Sequence, residues 1–130
     1  MATVNPYLHF NGNAEPAFNF YKSVFGGEFP MIMRYKDAPA EQRMGEENGD
    51  KILHICLPIG KNAILMGGDV PEVYKVTMGT NFHISISPDS EKEADQLFSG
   101  LSAGGQVMMP NGKNFLGSYF EMLKDQFAVQ

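Results

Sequence analysis

The sequence predicts an α+β fold built from two modules, each with the order strand, helix and three strands. The main observation is a repeat: displacing the 130-residue chain by 77 positions superposes the caps, apolar faces and glycine stops of two predicted helices. In the segments that precede and follow these helices, apolar residues recur at every second position, which is the pattern of a strand. Because 43% of the residues are apolar, the chain can form one core. We expect a single domain, with module one over residues 1–77 and module two over residues 78–130.

The first module begins with a strand and a helix. Residues 6–11 are aromatic and partly alternating, which indicates a strand. Residues 13–25 start with an asparagine suited to an N-cap and end before Gly26 and Gly27, which suit a helix stop. The apolar positions between these signals have helical spacing: Ala17, Phe18, Tyr21 and Phe25. The pattern therefore predicts a helix here, followed by a strand over residues 29–35.

A polar segment separates this strand from a predicted hairpin. Residues 36–51 have no apolar face and form a loop long enough to cover a site, although disorder is the alternative. Residues 51–59 and 62–66 then read as two strands joined by a two-residue turn at Gly60 and Lys61.

The second module repeats this order without the long loop. The 77-residue displacement predicts a strand over residues 82–87, a helix over 90–101 and a strand over 106–109. Residues 117–123 and 127–130 would complete the module as a hairpin that turns near Lys124 and Asp125.

The composition excludes some classes of partner. Fifteen acidic against ten basic residues leave a net charge of −5, which disfavours nucleic acid and anionic membranes and suits a cationic small molecule. Cys56 is the only cysteine, so it forms no internal disulfide, and its apolar surroundings indicate a reduced, buried thiol in a cytoplasmic protein. We find neither a run of roughly 18 apolar residues nor a signal peptide in the sequence.

Six short motifs in a fixed order cover nearly the whole chain. They are NGN at 11–13, AFNFY at 17–21, VFGG at 24–27, LMGGD at 65–69, EAD at 93–95 and GSYF at 117–120. Together with the duplication, this set resembles the PhnB-like branch of the vicinal oxygen chelate superfamily, which includes glyoxalase I, bleomycin resistance proteins and extradiol dioxygenases. The resemblance implies two βαβββ modules whose strands curl into half-barrels around a shared cleft, usually in a homodimer.

The same family has carried a methyltransferase label. A nucleotide-type methyl donor normally lies over a glycine-rich turn between a strand and a helix. The glycine pairs of this chain follow the predicted helices instead, so the sequence gives this label no support.

Metal-using members of the superfamily place His and Glu ligands on the first and last strands of each module. The resemblance maps these positions onto Pro6 and Met66 in module one, and onto His83 and Gln130 in module two. Only His83 is a strong ligand for a divalent ion. We therefore predict no metal cofactor, and we keep a divalent ion held by His83, Glu121 and residues of a partner subunit as a less favoured alternative.

Strand alternation predicts a cleft with one apolar and one polar half, provided that both hairpin turns have two residues. The apolar half would consist of Leu8, Phe10, Ile55, Leu57, Ile64 and Met66. The polar half would consist of His83, Ser85, Tyr119, Glu121 and Gln130. A three-residue turn would undo these groupings. The expected substrate contacts are Leu8, Phe10, Leu57, Met66, Ser85, Tyr119 and Gln130.

Glu121 and His83 are the candidate catalytic residues. A carboxylate that faces an apolar cleft has a raised pKa and can act as a general base beside an imidazole. The alternative is a solvent-facing Glu121 and a structural His83. His54 and Cys56 are expected to face the helix layer as an inert pair. His9 would also face the helix layer, although the polar set that it forms with Tyr7 and Asn11 argues against this orientation.

Three functions of different classes follow. The first is an enzyme that transfers a proton on a small organic substrate without a metal. The second is a non-catalytic protein that sequesters a small molecule, as in the bleomycin-resistance branch. The third is a lyase or dioxygenase-like enzyme that uses a divalent metal.

Overall fold

The computed structural model describes residues 2–39, 49–113 and 119–130. The side chains of residues 109–113 and 119–122 lie outside the described part, as do residues 40–48 of the predicted long loop. The chain divides into two compact units, Met1–Thr77 and Met78–Gln130. Among the helices that the structure describes, none has the length and apolar character needed to cross a membrane.

The first unit contains a four-stranded sheet and one helix in the predicted order. Its elements are β1 (Tyr7–Phe10), α1 (Ala14–Phe25), β2 (Met31–Arg34), β3 (Ile52–Ile59) and β4 (Ala63–Asp69). The strands lie in the order β1-β4-β3-β2. Strand β1 runs parallel to β4, and the other neighbours are antiparallel. This mixed α+β architecture agrees with the predicted fold class.

Helix α1 begins where the sequence predicts, but a distant residue caps it. Asn13 makes no side-chain capping hydrogen bond. The buried carboxylate of Asp69 accepts the N–H groups of Gly12 and Ala14 through Oδ1, at 3.0 and 2.9 Å, and that of Ile52 through Oδ2, at 2.9 Å. One side chain of β4 thereby satisfies donors at the helix N-terminus and in β3.

Helix α1 packs its aromatic residues against one face of the sheet. Phe18 is fully buried, and the rings of Phe10 and Tyr21 meet it edge-on at centroid distances of 6.1 and 5.6 Å. Gly67 of β4 is paired with Ile55, and a Cβ atom at Gly67 would lie 2.8 Å from Phe18 Cε1. The face that carries Gly67 and Ile55 is therefore the face under α1.

The hairpin between β3 and β4 has a loop one residue longer than predicted. Ile59 is paired with Ala63, so residues 60–62 form a three-residue loop instead of the two-residue turn. Side chains alternate between the two faces of a strand, and a one-residue change in loop length exchanges the faces of the second strand.

The register consequently overturns one predicted grouping of side chains. Leu57 lies opposite Leu65, and Cys56 lies opposite Met66. The prediction that Met66 and Ile64 share a face with Leu57 is wrong. Leu57 and Leu65 lie on the buried face under α1, and Met66 and Ile64 lie on the other face.

The second unit contains one helix and two paired strands in its described part. Helix α2 is Glu91–Ser102, and β5 (Gln106–Lys113) pairs antiparallel with β6 (Tyr119–Lys124). Ser90 caps α2, because its Oγ accepts the N–H of Glu93 at 3.0 Å.

Two strands predicted for the second module are not formed. Residues 82–88 contain no strand, and one backbone hydrogen bond joins them to the chain end, from Ile84 N–H to the carbonyl oxygen of Gln130 at 2.8 Å. Residues 127–130 also contain no strand. The arrangement of two complete βαβββ modules is therefore not seen in the described residues.

A three-residue turn follows β6, one residue longer than the predicted turn. Asp125 N–H donates to the carbonyl oxygen of Val129 at 2.9 Å, so residues 126–128 form the loop. Ala128 adopts a left-handed conformation with φ of 68°. This is the geometry of a type I turn followed by a left-handed residue.

Candidate functional site

The sheet of the first unit has a second face, turned away from α1, which we call the open face. Met31, Tyr7 and Ile64 on this face are 46%, 39% and 37% exposed. No Asp, Glu, Lys or Arg belongs to the set, whose members are Tyr7, His9, Met31, Met33, His54, Cys56, Pro58, Ile64 and Met66. A half-exposed face of aromatic, apolar and sulfur side chains is typical of surfaces that receive a ligand or a partner.

The Tyr7 ring contacts two other rings of the open face, those of His9 and His54. The ring of Tyr7 is 5.0 Å from that of His9 and 5.6 Å from that of His54, measured between centroids. The Tyr7 hydroxyl lies 3.3 Å from His54 Nδ1 and 3.4 Å from the carbonyl oxygen of Leu53. Burial raises the pKa of Tyr7 above the usual value for tyrosine, so the hydroxyl stays protonated at neutral pH and can donate.

Tyr7 must reach across β4 to contact Leu53, because β4 lies between β1 and β3. Gly68 of β4 makes room beside Leu53. A Cβ atom at Gly68 would lie 2.5 Å from the Leu53 carbonyl oxygen. The glycine thus allows a close approach of backbone groups beneath the row of rings.

Three sulfur-containing side chains form a second row across the open face. Met31 is paired with Cys56, and Cys56 is paired with Met66, so β2, β3 and β4 contribute one sulfur each. Cys56 is a free thiol of intermediate exposure. The expectation that Cys56 and His54 face the helix layer is wrong, because the three-residue loop and the pairing with β2 place them on the open face.

The predicted first-module substrate contacts divide between the two faces. Met66 lies on the open face. Phe10 and Leu57 are 1% and 0% exposed and lie under α1, and alternation places Leu8 with Phe10. The predicted facing of Leu8, Phe10 and Leu57 is therefore wrong. The polar set Tyr7, His9 and Asn11 was the sequence signal for the correct facing, because polar residues are poorly suited to the helix side.

The predicted residues of the second module are only partly described. His83 and Ser85 are exposed in segment 82–88. Tyr119 and Glu121 belong to β6, and their side chains lie outside the described part of the structure.

Gln130 follows the three-residue turn at residues 126–128. Continuing the Asp125–Val129 pairing places Gln130 opposite Lys124, so the two-residue turn that grouped Gln130 with Tyr119 and Glu121 is absent. The Gln130 Nε2 atom donates instead to the carbonyl oxygen of Gly79 at 3.3 Å.

The family metal positions of the first unit do not fit a divalent ion. Pro6 offers no side-chain donor, and Met66 offers a thioether, which is a poor ligand for hard ions. Among the residues that the structure describes, we find no group of three or more His, Cys, Asp and Glu side chains that could hold a metal.

A further motif residue, Asn11, organises the backbone around the sheet. Asn11 exchanges two hydrogen bonds with the backbone of Val76, from its Nδ2 to the carbonyl oxygen at 2.8 Å and from Val76 N–H to its Oδ1 at 2.9 Å. The side chain therefore holds the chain that follows β4 beside the end of β1. With Asp69 and Gly67, it gives the NGN and LMGGD motifs structural roles.

Comparison with known proteins places these features in a family. The family model described as 3-demethylubiquinone-9 3-methyltransferase matches residues 2–130. The chain is similar to protein PA1353 from Pseudomonas aeruginosa, with 35% sequence identity and a TM-score of 0.88 over 99% of this chain and 93% of that chain. It is also similar to a putative 3-demethylubiquinone-9 3-methyltransferase, PhnB protein, from Bacillus cereus, with 26% identity and a TM-score of 0.75 over 98% of this chain and 95% of that chain.

A more distant structure shares the fold. TioX from Micromonospora sp. ML1 is 20% identical, with a TM-score of 0.57 over 99% of this chain and 94% of that chain. No curated protein matches the chain.

Proposed function

The chain belongs to the 3-demethylubiquinone-9 3-methyltransferase-like, PhnB-like family of the glyoxalase superfamily, and from this premise we propose that it binds a small, planar organic molecule on the open face. The observation that carries the proposal is the row of rings formed by His9, Tyr7 and His54. Planar rings stack on such a surface at centroid distances of about 4.5–7 Å.

The chemistry of the open face suggests the type of ligand. Met31, Met33 and Met66 border the rings with flexible side chains, which adapt to ligands of different shape. Polar contacts would come from Tyr7 and the two histidines. Since the chain carries a net charge of −5, a cationic aromatic ligand suits it best, and the face of Tyr7 can bind its positive charge.

The proposal extends to the second module. We infer that Ser85, Tyr119 and Gln130 contact the ligand from a cleft shared by both modules, and that the protein works as a homodimer. The family resemblance supports both inferences, and the exposure of Ser85 leaves its hydroxyl accessible to a ligand.

Proton transfer by Glu121 and His83 is the catalytic form of the proposal. His83 is exposed and therefore available to a substrate. An imidazole and a carboxylate are suited to general acid–base chemistry on a dicarbonyl compound. Sequestration without catalysis is the competing form, and ligand recovered unchanged after incubation would favour it. A separation of more than about 10 Å between Glu121 and His83 would exclude direct cooperation in proton transfer.

A thermal-shift screen tests ligand binding. The panel contains planar aromatic amines, their neutral analogues, small dicarbonyl compounds and divalent metals, because a ligand that binds only the folded state raises Tm. Each hit is then measured on Glu121→Gln and His83→Ala. If both variants bind the hit and convert it at the wild-type rate, Glu121 and His83 play no part in catalysis.

Substitutions at Tyr7 test the location of the site. We expect Tyr7→Ala to lose at least about tenfold in affinity, and Tyr7→Phe to keep the stacking contribution. Tyr74→Ala is the matched control, because Tyr74 is 67% exposed and lies outside the sheet. Equal affinity of Tyr7→Ala and the wild-type protein would place the ligand elsewhere.

A further inference from the structure

We propose that the sulfur row Met31, Cys56 and Met66 is a binding site for a soft monovalent metal ion, Cu(I). The proposal does not depend on the organic ligand. It rests on the strand register, which pairs Met31 with Cys56 and Cys56 with Met66, so that a thiol lies between two thioethers on one face of the sheet.

The spacing of the row suits three-coordinate sulfur ligation. Directly paired residues in antiparallel strands have Cβ atoms about 4.5–5.5 Å apart. A methionine side chain has three rotatable side-chain bonds, so each thioether can turn towards an ion bound at the central sulfur. Met31 is 46% exposed, and Cys56 and Met66 have intermediate exposure, which leaves the row accessible from solvent.

The donor atoms favour a soft ion over a divalent one. Thiolate and thioether sulfur select Cu(I), whereas zinc requires additional imidazole, thiolate or carboxylate ligands. His54, the nearest imidazole on the same strand, already has its Nδ1 beside the Tyr7 hydroxyl at 3.3 Å. The open face also contributes no carboxylate.

Binding requires one proton to leave and no change of oxidation state. The S–H bond of Cys56 breaks, its proton passes to solvent, and an S–Cu bond forms with the sulfur electron pair. The thioethers of Met31 and Met66 donate lone pairs without losing a proton. Copper enters and remains as Cu(I).

The test titrates the reduced full-length chain with Cu(I) under anaerobic conditions, in competition with the chromophoric chelator bathocuproine disulfonate. We expect one Cu(I) per chain, with ultraviolet absorption from a thiolate–Cu(I) bond. Because Cys56 is the only cysteine, this absorption reports on one site. Cys56→Ser should lower the affinity at least about 100-fold, and Met31→Leu and Met66→Leu about tenfold each.

The methionine variants distinguish a three-sulfur site from copper binding by Cys56 alone. Leucine nearly conserves the volume of methionine, so these variants should keep the far-ultraviolet circular dichroism and Tm of the apo protein. Met108→Leu is the matched control, because Met108 is 51% exposed and lies in β5 of the second unit. Its affinity for Cu(I) should equal that of the wild-type protein.

Several results would overturn the proposal. Binding of less than one Cu(I) per chain would contradict it. Wild-type affinity for Cu(I) in both Met31→Leu and Met66→Leu would also contradict it, because Cys56 would then bind copper as an isolated thiol. An equal loss in Met108→Leu would show that the effect is not local to the row. If Cys56→Ser fails to fold, the two methionine variants decide the outcome.

Discussion

At the scale of single residues, the buried carboxylate of Asp69 joins segments that are far apart in the sequence. It accepts hydrogen bonds from Gly12 and Ala14 at the start of α1 and from Ile52 in β3, and it is 4% exposed. A backbone N–H that loses its partner in such a place is costly, because water cannot replace the carboxylate. Asp69 therefore couples the helix to the hairpin that carries the open face.

Asp69→Asn should destabilise the protein by about 2–3 kcal/mol. The amide keeps an oxygen for Gly12 and Ala14 but turns an N–H₂ group towards the N–H of Ile52. Urea unfolding at neutral pH measures the loss. Asp50→Asn is the control, because the Asp50 side chain is 91% exposed, and it should change the free energy of unfolding much less. Similar effects of the two substitutions would contradict the role assigned to Asp69.

The ion pair of Glu15 and Arg34 should make stability depend on pH. Two hydrogen bonds join the side chains, from Nη1 to Oε1 at 3.1 Å and from Nη2 to Oε2 at 2.5 Å. The hydrogen bond from Arg34 lowers the pKa of Glu15 below its usual value of 4.5, although partial burial opposes the shift. Folding therefore favours the ionised carboxylate, and this contribution is complete above pH 4.5 and is lost as the pH falls through the lowered pKa.

The measurement compares the wild-type protein with Glu15→Gln. We expect the wild type to be more stable at neutral pH by no more than about 1 kcal/mol, because the pair is partly exposed. The difference in unfolding free energy should vanish towards about pH 2. It should also shrink at about 1 M salt, where exposed charges are screened. A difference that is independent of pH would exclude the ion pair as its source.

At the scale of elements, the contact between α1 and the sheet depends on a position without a side chain. A Cβ atom at Gly67 would lie 2.6 Å from the Leu8 carbonyl oxygen and 2.8 Å from Phe18 Cε1. Gly67→Ala should therefore displace Phe18 and cost about 1–3 kcal/mol, measured by chemical unfolding. Gly79→Ala is the control, since its Cβ would meet only the Asn81 side chain at 3.1 Å, and it should cost much less. Equal costs would show that the helix accommodates the added methyl group.

The two hairpin loops show how far the sequence predicts this fold. Helical spacing and glycine stops located both helices, because these signals repeat over several turns. The sequence predicted loop length less well. Residues 60–62 form a three-residue loop where the dipeptide Gly60-Lys61 suggested a two-residue turn. At residues 126–128 the turn includes Ala128 in a left-handed conformation that alanine rarely adopts. The sequence therefore grouped Leu57 with Met66, whereas the register places these side chains on opposite faces, since a one-residue difference in a loop exchanges the faces of a strand.

At the scale of the whole molecule, the net charge and the proposed ligand surface are separate features. The chain carries a net charge of −5, yet the open face contributes no carboxylate, lysine or arginine. The acidic residues would therefore act on the proposed ligand at long range instead of by contact. Long-range attraction raises the rate of encounter with a cation, whereas short-range contacts determine how long a complex lasts.

The association rate of a cationic planar ligand should consequently depend on salt. Raising the ionic strength from about 0.01 to 0.15 M shortens the Debye length from about 30 to 8 Å, so most of the attraction by distant carboxylates disappears. We expect the association rate to fall several-fold and the dissociation rate to change little, as measured by stopped-flow mixing. A neutral analogue of the same shape is the control and should show neither change. If salt instead accelerates dissociation of the cation, a carboxylate contacts the bound ligand directly, which would favour Glu121 as part of the site.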